Sequence, residues 1–79
     1  MAQYQVEHTD TFSGEANYSW VIRETFEAPN NASNALLIRR AKALIGESGN
    51  RHYVTDFGDE IWLDYPGRPI RTFIIFIED

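Results

Sequence analysis

Ile70-Arg71-Thr72-Phe73-Ile74-Ile75-Phe76-Ile77 is the stretch on which the architecture turns. Strand geometry sends alternate side chains to opposite faces, so Ile70, Ile74 and Phe76 share one side while Phe73, Ile75 and Ile77 share the other. A segment apolar on both sides needs cover on both sides, as a central strand of a sheet or as a strand that pairs with a partner. Upstream, Arg51 to Phe57 and Glu60 to Tyr65 also read as strands, punctuated by Gly58-Asp59 and Pro66-Gly67, the latter suited to a type II turn. At the other end Gln3 to Thr9 alternates Tyr4, Val6 and His8 with Gln5 and Glu7, and Ser13-Gly14 turns the chain into a second strand from Tyr18 to Phe26. Parity there groups Trp20 with Ile22 and Phe26, which predicts that Trp20 packs beneath a helix.

That helix is expected from about Ala32 to Ile45, where Leu37, Ala41 and Leu44, joined by Ile38 and Ile45, form an apolar stripe. Asn30, Asn31 or Ser33 can cap its start, and Gly46 suits the left-handed position after its end. Arg39, Arg40 and Lys42 stand mostly off the stripe, where cations complement the helix dipole. The element order ββαβββ predicts an α+β fold over residues 1–79: a single small domain with an antiparallel sheet of about five strands and one helix packed on one face.

Size and composition narrow the function classes. A chain of 79 residues holds one small domain, which leaves no room for a cofactor domain beside a substrate domain. With 43% hydrophobic and 14% aromatic residues it can build a core. Cysteine is absent, which removes disulfides, thiolate catalysis, zinc ribbons and iron–sulfur clusters together. Met1 to Asp10 lacks a basic leader followed by an apolar run, and the longest apolar run, Ile74 to Ile77, falls far short of the roughly 20 residues that span a bilayer. A cytoplasmic protein with no membrane segment is the expectation.

Motifs for chemistry are sparse. Asp56-Phe57-Gly58 spells the magnesium-binding tripeptide of protein kinases, yet the chain cannot contain the lysine, catalytic loop and Gly-rich loop that tripeptide serves, so it reads as a turn. Gly46-Glu47-Ser48-Gly49-Asn50 follows the helix instead of preceding one and therefore reads as a loop and not a phosphate cradle. His8 and His52 could meet Asp10, Asp56 or Asp59 as a metal site or acid–base pair, but a lone strand histidine is more often a packing residue. No catalytic residue, metal ligand or cofactor is assigned, and a non-enzyme is expected.

Charge carries more. Seven Lys and Arg against twelve Asp and Glu give a net charge of −5, the wrong sign for gripping phosphates. The predicted helix holds three of the basic residues and no acid, so the rest of the chain sets four basic residues against all twelve acids, a net of −8. Asp56, Asp59, Glu60 and Asp64 gather around one predicted hairpin, and Glu24 and Glu27 add to the sheet. Same-side strand residues recur at about 6.6 Å, so a sheet could display carboxylates as a row imitating a phosphate backbone. Solubility and protection of sheet edges is the plainer use of such charge. Trp62 shares parity with Glu60 and Asp64 and is the preferred aromatic anchor for a partner.

Thr11-Phe12-Ser13-Gly14-Glu15-Ala16-Asn17-Tyr18-Ser19-Trp20-Val21, after the alternating Tyr4-Gln5-Val6, resembles the start of small proteins found in phage and prophage genomes. With its length, acidity and lack of cysteine, the whole is similar in character to phage anti-CRISPR proteins, particularly those directed at type I surveillance complexes such as type I-C Cascade. That class shares no transferable motif, so the resemblance implies a function class and assigns no residue. It implies a small viral CRISPR-Cas inhibitor, monomeric or weakly dimeric, that acts in the bacterial host cytoplasm and binds a Cascade subunit with a basic DNA-binding channel. The charge and parity reading, not the resemblance, offers Asp56, Asp59, Glu60 and Asp64, then Glu24 and Glu27, with Trp62 as anchor, for that contact. A competing expectation is a regulatory subunit that dimerises through the last strand and touches nucleic acid with Arg39, Arg40 and Lys42. A third is a small nuclease or toxin using His8 or His52.

Overall fold

The computed structural model describes residues 1–79. Strands β1 (Ala2–Phe12) and β2 (Glu15–Ala28) form a hairpin; α1 (Asn34–Leu44) follows, then β3 (Tyr53–Asp56), β4 (Glu60–Asp64) and β5 (Ile70–Glu78). The sheet is antiparallel throughout with order β2-β1-β5-β4-β3. The expected α+β fold with order ββαβββ is therefore the one observed. β5 takes the central position, hydrogen-bonded to β1 on one edge and β4 on the other. Its doubly apolar sequence is the consequence of that placement, and it has no free edge for pairing with a second molecule.

Local signals position the elements. Ser13 and Gly14 both adopt positive φ, 54° and 82°, the type I′ geometry whose twist matches a two-residue hairpin. Gly67 at φ 71° fits the third position of the Tyr65–Arg68 turn, in which Pro66 is second. Of the three candidate caps, Ser33 is used: its side-chain oxygen accepts from the Leu36 N–H at 3.2 Å.

Helix α1 buries Leu37, Ile38, Ala41 and Lys42, with Ile45 just beyond its end. Two readings of the stripe are corrected here. Leu44 remains 43% exposed, while Lys42 is 6% exposed, because at 100° per residue the arc from Leu37 to Lys42 faces the sheet and Leu44 falls just outside it. The core joins this arc to Val6, Ala28, Ile61, Leu63, Tyr65 and Ile74, with Tyr4 and Phe26 packed alongside.

Trp20 also departs from expectation. It lies on the helix side of the sheet, but at 42% exposure it leans on the His8 ring, 5.3 Å between centroids, and is not roofed by the helix. An eleven-residue helix is about 16 Å long and the fourteen-residue β2 about 46 Å, so the roof reaches only the Phe26–Ala28 end of that strand.

Leu63 is fully buried at the centre of this core. Leu63→Ala should lower unfolding free energy by about 2–5 kcal/mol, measured as a reduced urea midpoint with the slope unchanged.

Candidate functional site: an acidic sheet end beside an apolar cleft

Register sorts the charges. One complete row crosses the helix side of the sheet as Glu24, Val6, Ile74, Ile61 and Asp56, with an acid on each outer strand. The adjoining open-face row runs Thr25, Gln5, Ile75 and Glu60. Beyond it, Gln3 stands between Glu27 and Glu78, and the Phe76 N–H donates to the Asp59 carbonyl at 3.0 Å. Asp56, Asp59, Glu60, Glu24, Glu27 and Glu78 thus share the end of the sheet where β1 begins and β5 ends. Strand cations fall in the other half: Arg23 opposite Glu7, Arg71 opposite Thr9 and Asp64. Near the acidic end Arg40 donates to the Glu27 carbonyl at 2.6 Å, leaving the Glu27 carboxylate without an ion-pair partner.

The expected residues divide accordingly. Ion pairs to Arg are made by Glu7, Glu47 and Asp64, so nine of the twelve acids have no Arg or Lys partner. Asp64 belongs to the mixed-charge half, its Oδ1 2.8 Å from Arg71 Nε, and does not extend an uninterrupted acidic row. Asp56 accepts from Asn34 at 2.7 Å and from the Gly58 N–H at 2.8 Å, bonds that hold its carboxyl below the usual range, the Gly58 contact contributing most. Asp59 lies in the exposed β3–β4 turn, and Glu24 and Glu27 are exposed on edge strand β2. β2 and β4 are three strand spacings apart, about 14 Å, so the acids rim an end and do not form a single file.

Trp62 lies on the open face, its N–H donating to Glu60 Oε1 at 2.7 Å. Phe57 and Phe73 meet its ring edge-on at 4.9 and 5.3 Å, and the Arg71 guanidinium sits 4.5 Å from its centroid. The ring is therefore a fixed platform, partly covered by a cation.

Sequence reading missed the cleft beside the acids. Between the start of α1 and the β3–β4 turn lies a groove of ≈ 380 Å³ floored by Tyr4, Leu37, Ile61, Ile74 and Phe76, with Asp59 among its lining residues. Its signal is spread over four elements and emerges only once they are paired.

The His8 cluster was also only partly legible. His8 Nδ1 lies 2.8 Å from Thr72 Oγ1, which in turn meets the Tyr65 hydroxyl at 2.7 Å. His8 Nε2 is 3.7 Å from Glu47, whose carboxylate receives two bonds from Arg68, at 2.7 and 3.2 Å. This Thr-His-Glu arrangement has the residue types of a nucleophilic triad, but His8 and Thr72 are buried and neither lines a cleft, so it acts as polar core. His8 and His52 do not meet as a pair: His52 hydrogen-bonds Lys42 instead. No group of three His, Asp or Glu side chains is placed to hold a metal ion, and no helix is long and apolar enough to cross a membrane. The helix cations do not form the exposed row that an extended nucleic-acid backbone needs, since Lys42 is recessed in a cleft and Arg40 is anchored on the Glu27 carbonyl. Comparison with protein-family models, curated proteins and solved structures returned no match.

Burial lowers the His8 pKa below 6.5, with Glu47 opposing, and Arg68 holds Glu47 low. The unfolded chain therefore takes up the histidine proton first, so this stabilisation is complete above about pH 6.5 and is lost as pH falls through that value; loss from Glu47 follows below about 4.5. Urea midpoints at pH 7.5, 6.0 and 5.0 should fall in that order, and His8→Gln should flatten the decline between 7.5 and 6.0.

Proposed function

We propose that this protein is a non-enzymatic phage inhibitor of a type I CRISPR surveillance complex, which binds a basic DNA channel of Cascade and competes with target DNA. The observation that carries the reading is the collection of Asp56, Asp59, Glu60, Glu24 and Glu27 at one sheet end with no Arg or Lys ion-pair partner. Uncompensated carboxylates there retain their field and steer encounter with a Lys- and Arg-lined groove. The adjacent cleft supplies what charge alone does not: an apolar floor of Leu37, Ile61 and Ile74 can take the aliphatic stem of a partner lysine or arginine while Asp59 meets its head group. Trp62, fixed through Glu60, offers a second contact on the open face.

In this mechanism the acids take the place of target phosphates, and the partner's cations exchange one set of anions for another. Association is then salt-sensitive while the short-range hold depends on the cleft.

A DNA-binding competition tests it, with type I-C Cascade, its guide RNA and a labelled target duplex titrated with this protein at two salt concentrations. Near-stoichiometric loss of DNA binding, relieved at higher salt, is expected. The double reversal Asp59→Lys and Glu60→Lys should weaken inhibition about tenfold or more, whereas Glu15→Lys, at the far hairpin, should leave it within about twofold. DNA binding untouched by the unmodified protein, or inhibition unaffected by the double reversal, would refute the reading.

A further inference from the structure

A second cleft lies on the opposite flank of α1, and its chemistry has the other sign. It measures ≈ 520 Å³ and is walled by Ala35, Ile38 and Val54, with Arg39, Lys42 and His52 among its lining. Lys42 is 6% exposed, yet its ammonium has no carboxylate partner. It donates to the Asn50 carbonyl and to His52 Nδ1, the latter at 2.9 Å, and so spends two of its three protons on neutral acceptors. Glu47, five residues along the chain, is engaged by Arg68, Asn50 and His8 instead. Arg39 on the same cleft is exposed and likewise lacks an acid partner. Asp56 shares its face of β3 with Val54 and is occupied by Asn34 and Gly58.

A buried cation without a counter-ion is costly, and in a chain with twelve acids Lys42 is the one buried Lys or Arg, and it has no carboxylate partner. Two cations converging on an apolar-walled cleft match a doubly charged anion attached to an apolar body, and the volume lies in the usual range for a small-molecule site. We propose that the cleft between α1 and β3 binds a phosphate monoester of a planar body, the mononucleotide class. Arg39 and the third Lys42 proton meet the phosphate, the Ser48 hydroxyl at the cleft wall adds a donor, and the base lies against Ile38, Val54 and the His52 ring. Arg39, Lys42, Ser48 and His52 take no part in the acidic end, although Asn34 borders both clefts, and binding is read without Cascade, so the test does not depend on Cascade inhibition.

Amide chemical shifts of the full chain titrated separately with AMP, adenosine and inorganic phosphate test the proposal. AMP should shift the amides of Ser48 to Val54 and of Arg39, with Kd of about 1 mM or tighter, and adenosine and inorganic phosphate should each bind about tenfold more weakly. Arg39→Gln, an exposed change compatible with folding, should weaken AMP about fivefold while leaving adenosine unchanged, and Lys42→Met should do the same more strongly. Silence of these amides at 5 mM AMP, about five times the weakest expected Kd, would overturn the site. AMP and adenosine binding equally would overturn the phosphate contact, and inorganic phosphate binding as well as AMP would overturn the role of the apolar wall.

Discussion

Double-sided pairing of β5 is the constraint on which the molecule depends. The strand joins two hairpins that are far apart in sequence, β1–β2 and β3–β4, and without it each would be a two-stranded ribbon too small to stand alone. Its side chains also set the thickness of the domain. Ile74 faces the helix and meets Val6 and Ile61 across the sheet, while Phe73 faces the other way and supports Trp62. One strand therefore organises the core, the open-face aromatic platform and the register that gathers the acids.

The helix is a partial roof. Its short length covers the centre of the sheet and leaves a cleft on each flank, one beside Asp59 and one beside Lys42. The two clefts differ because the charges of the chain are segregated, with every predicted helix cation on α1 and every acid elsewhere. A polar network at the far end, His8 with Thr72 and Tyr65 and Glu47 with Arg68, anchors the loop after the helix to the sheet. Each member satisfies another, which is what allows a histidine and a carboxylate to be buried together.

Strand parity, the hairpin turn at Ser13-Gly14 and the helix with its glycine stop were legible because each is a local property of neighbouring residues. The doubly apolar last strand carried the central placement as one of two alternatives, and only pairing with β1 and β4 decided between them. Trp20 was rightly assigned to the helix side but wrongly to cover beneath the helix, since parity says which way a side chain points and nothing about how far the roof extends. Lys42 and Leu44 exchanged roles through a small rotation of the buried arc, below the resolution of a helical stripe. The acids were recognised as a group on one hairpin, yet their division was hidden: Asp64 joins Arg71, while Glu24 and Glu27 reach the same end as Asp59 from a strand 32 to 35 residues distant in number. Glu47, Arg68 and Thr72 escaped notice because the contacts that join them into one network, Arg68 with Glu47 and His8 with Thr72, span 21 and 64 positions.

Pairing of Gln3 with Glu78 brings the first and last strands of the chain together at the edge of the acidic end. Any peptide fused to either terminus consequently emerges beside Asp59 and Glu27, where a polyhistidine or basic tag would act as an intramolecular counter-ion. Joining the two ends and reopening the chain at Ser13-Gly14, an exposed turn about eleven rows away along β1, would move the fusion point to the opposite pole and leave the carboxylates bare.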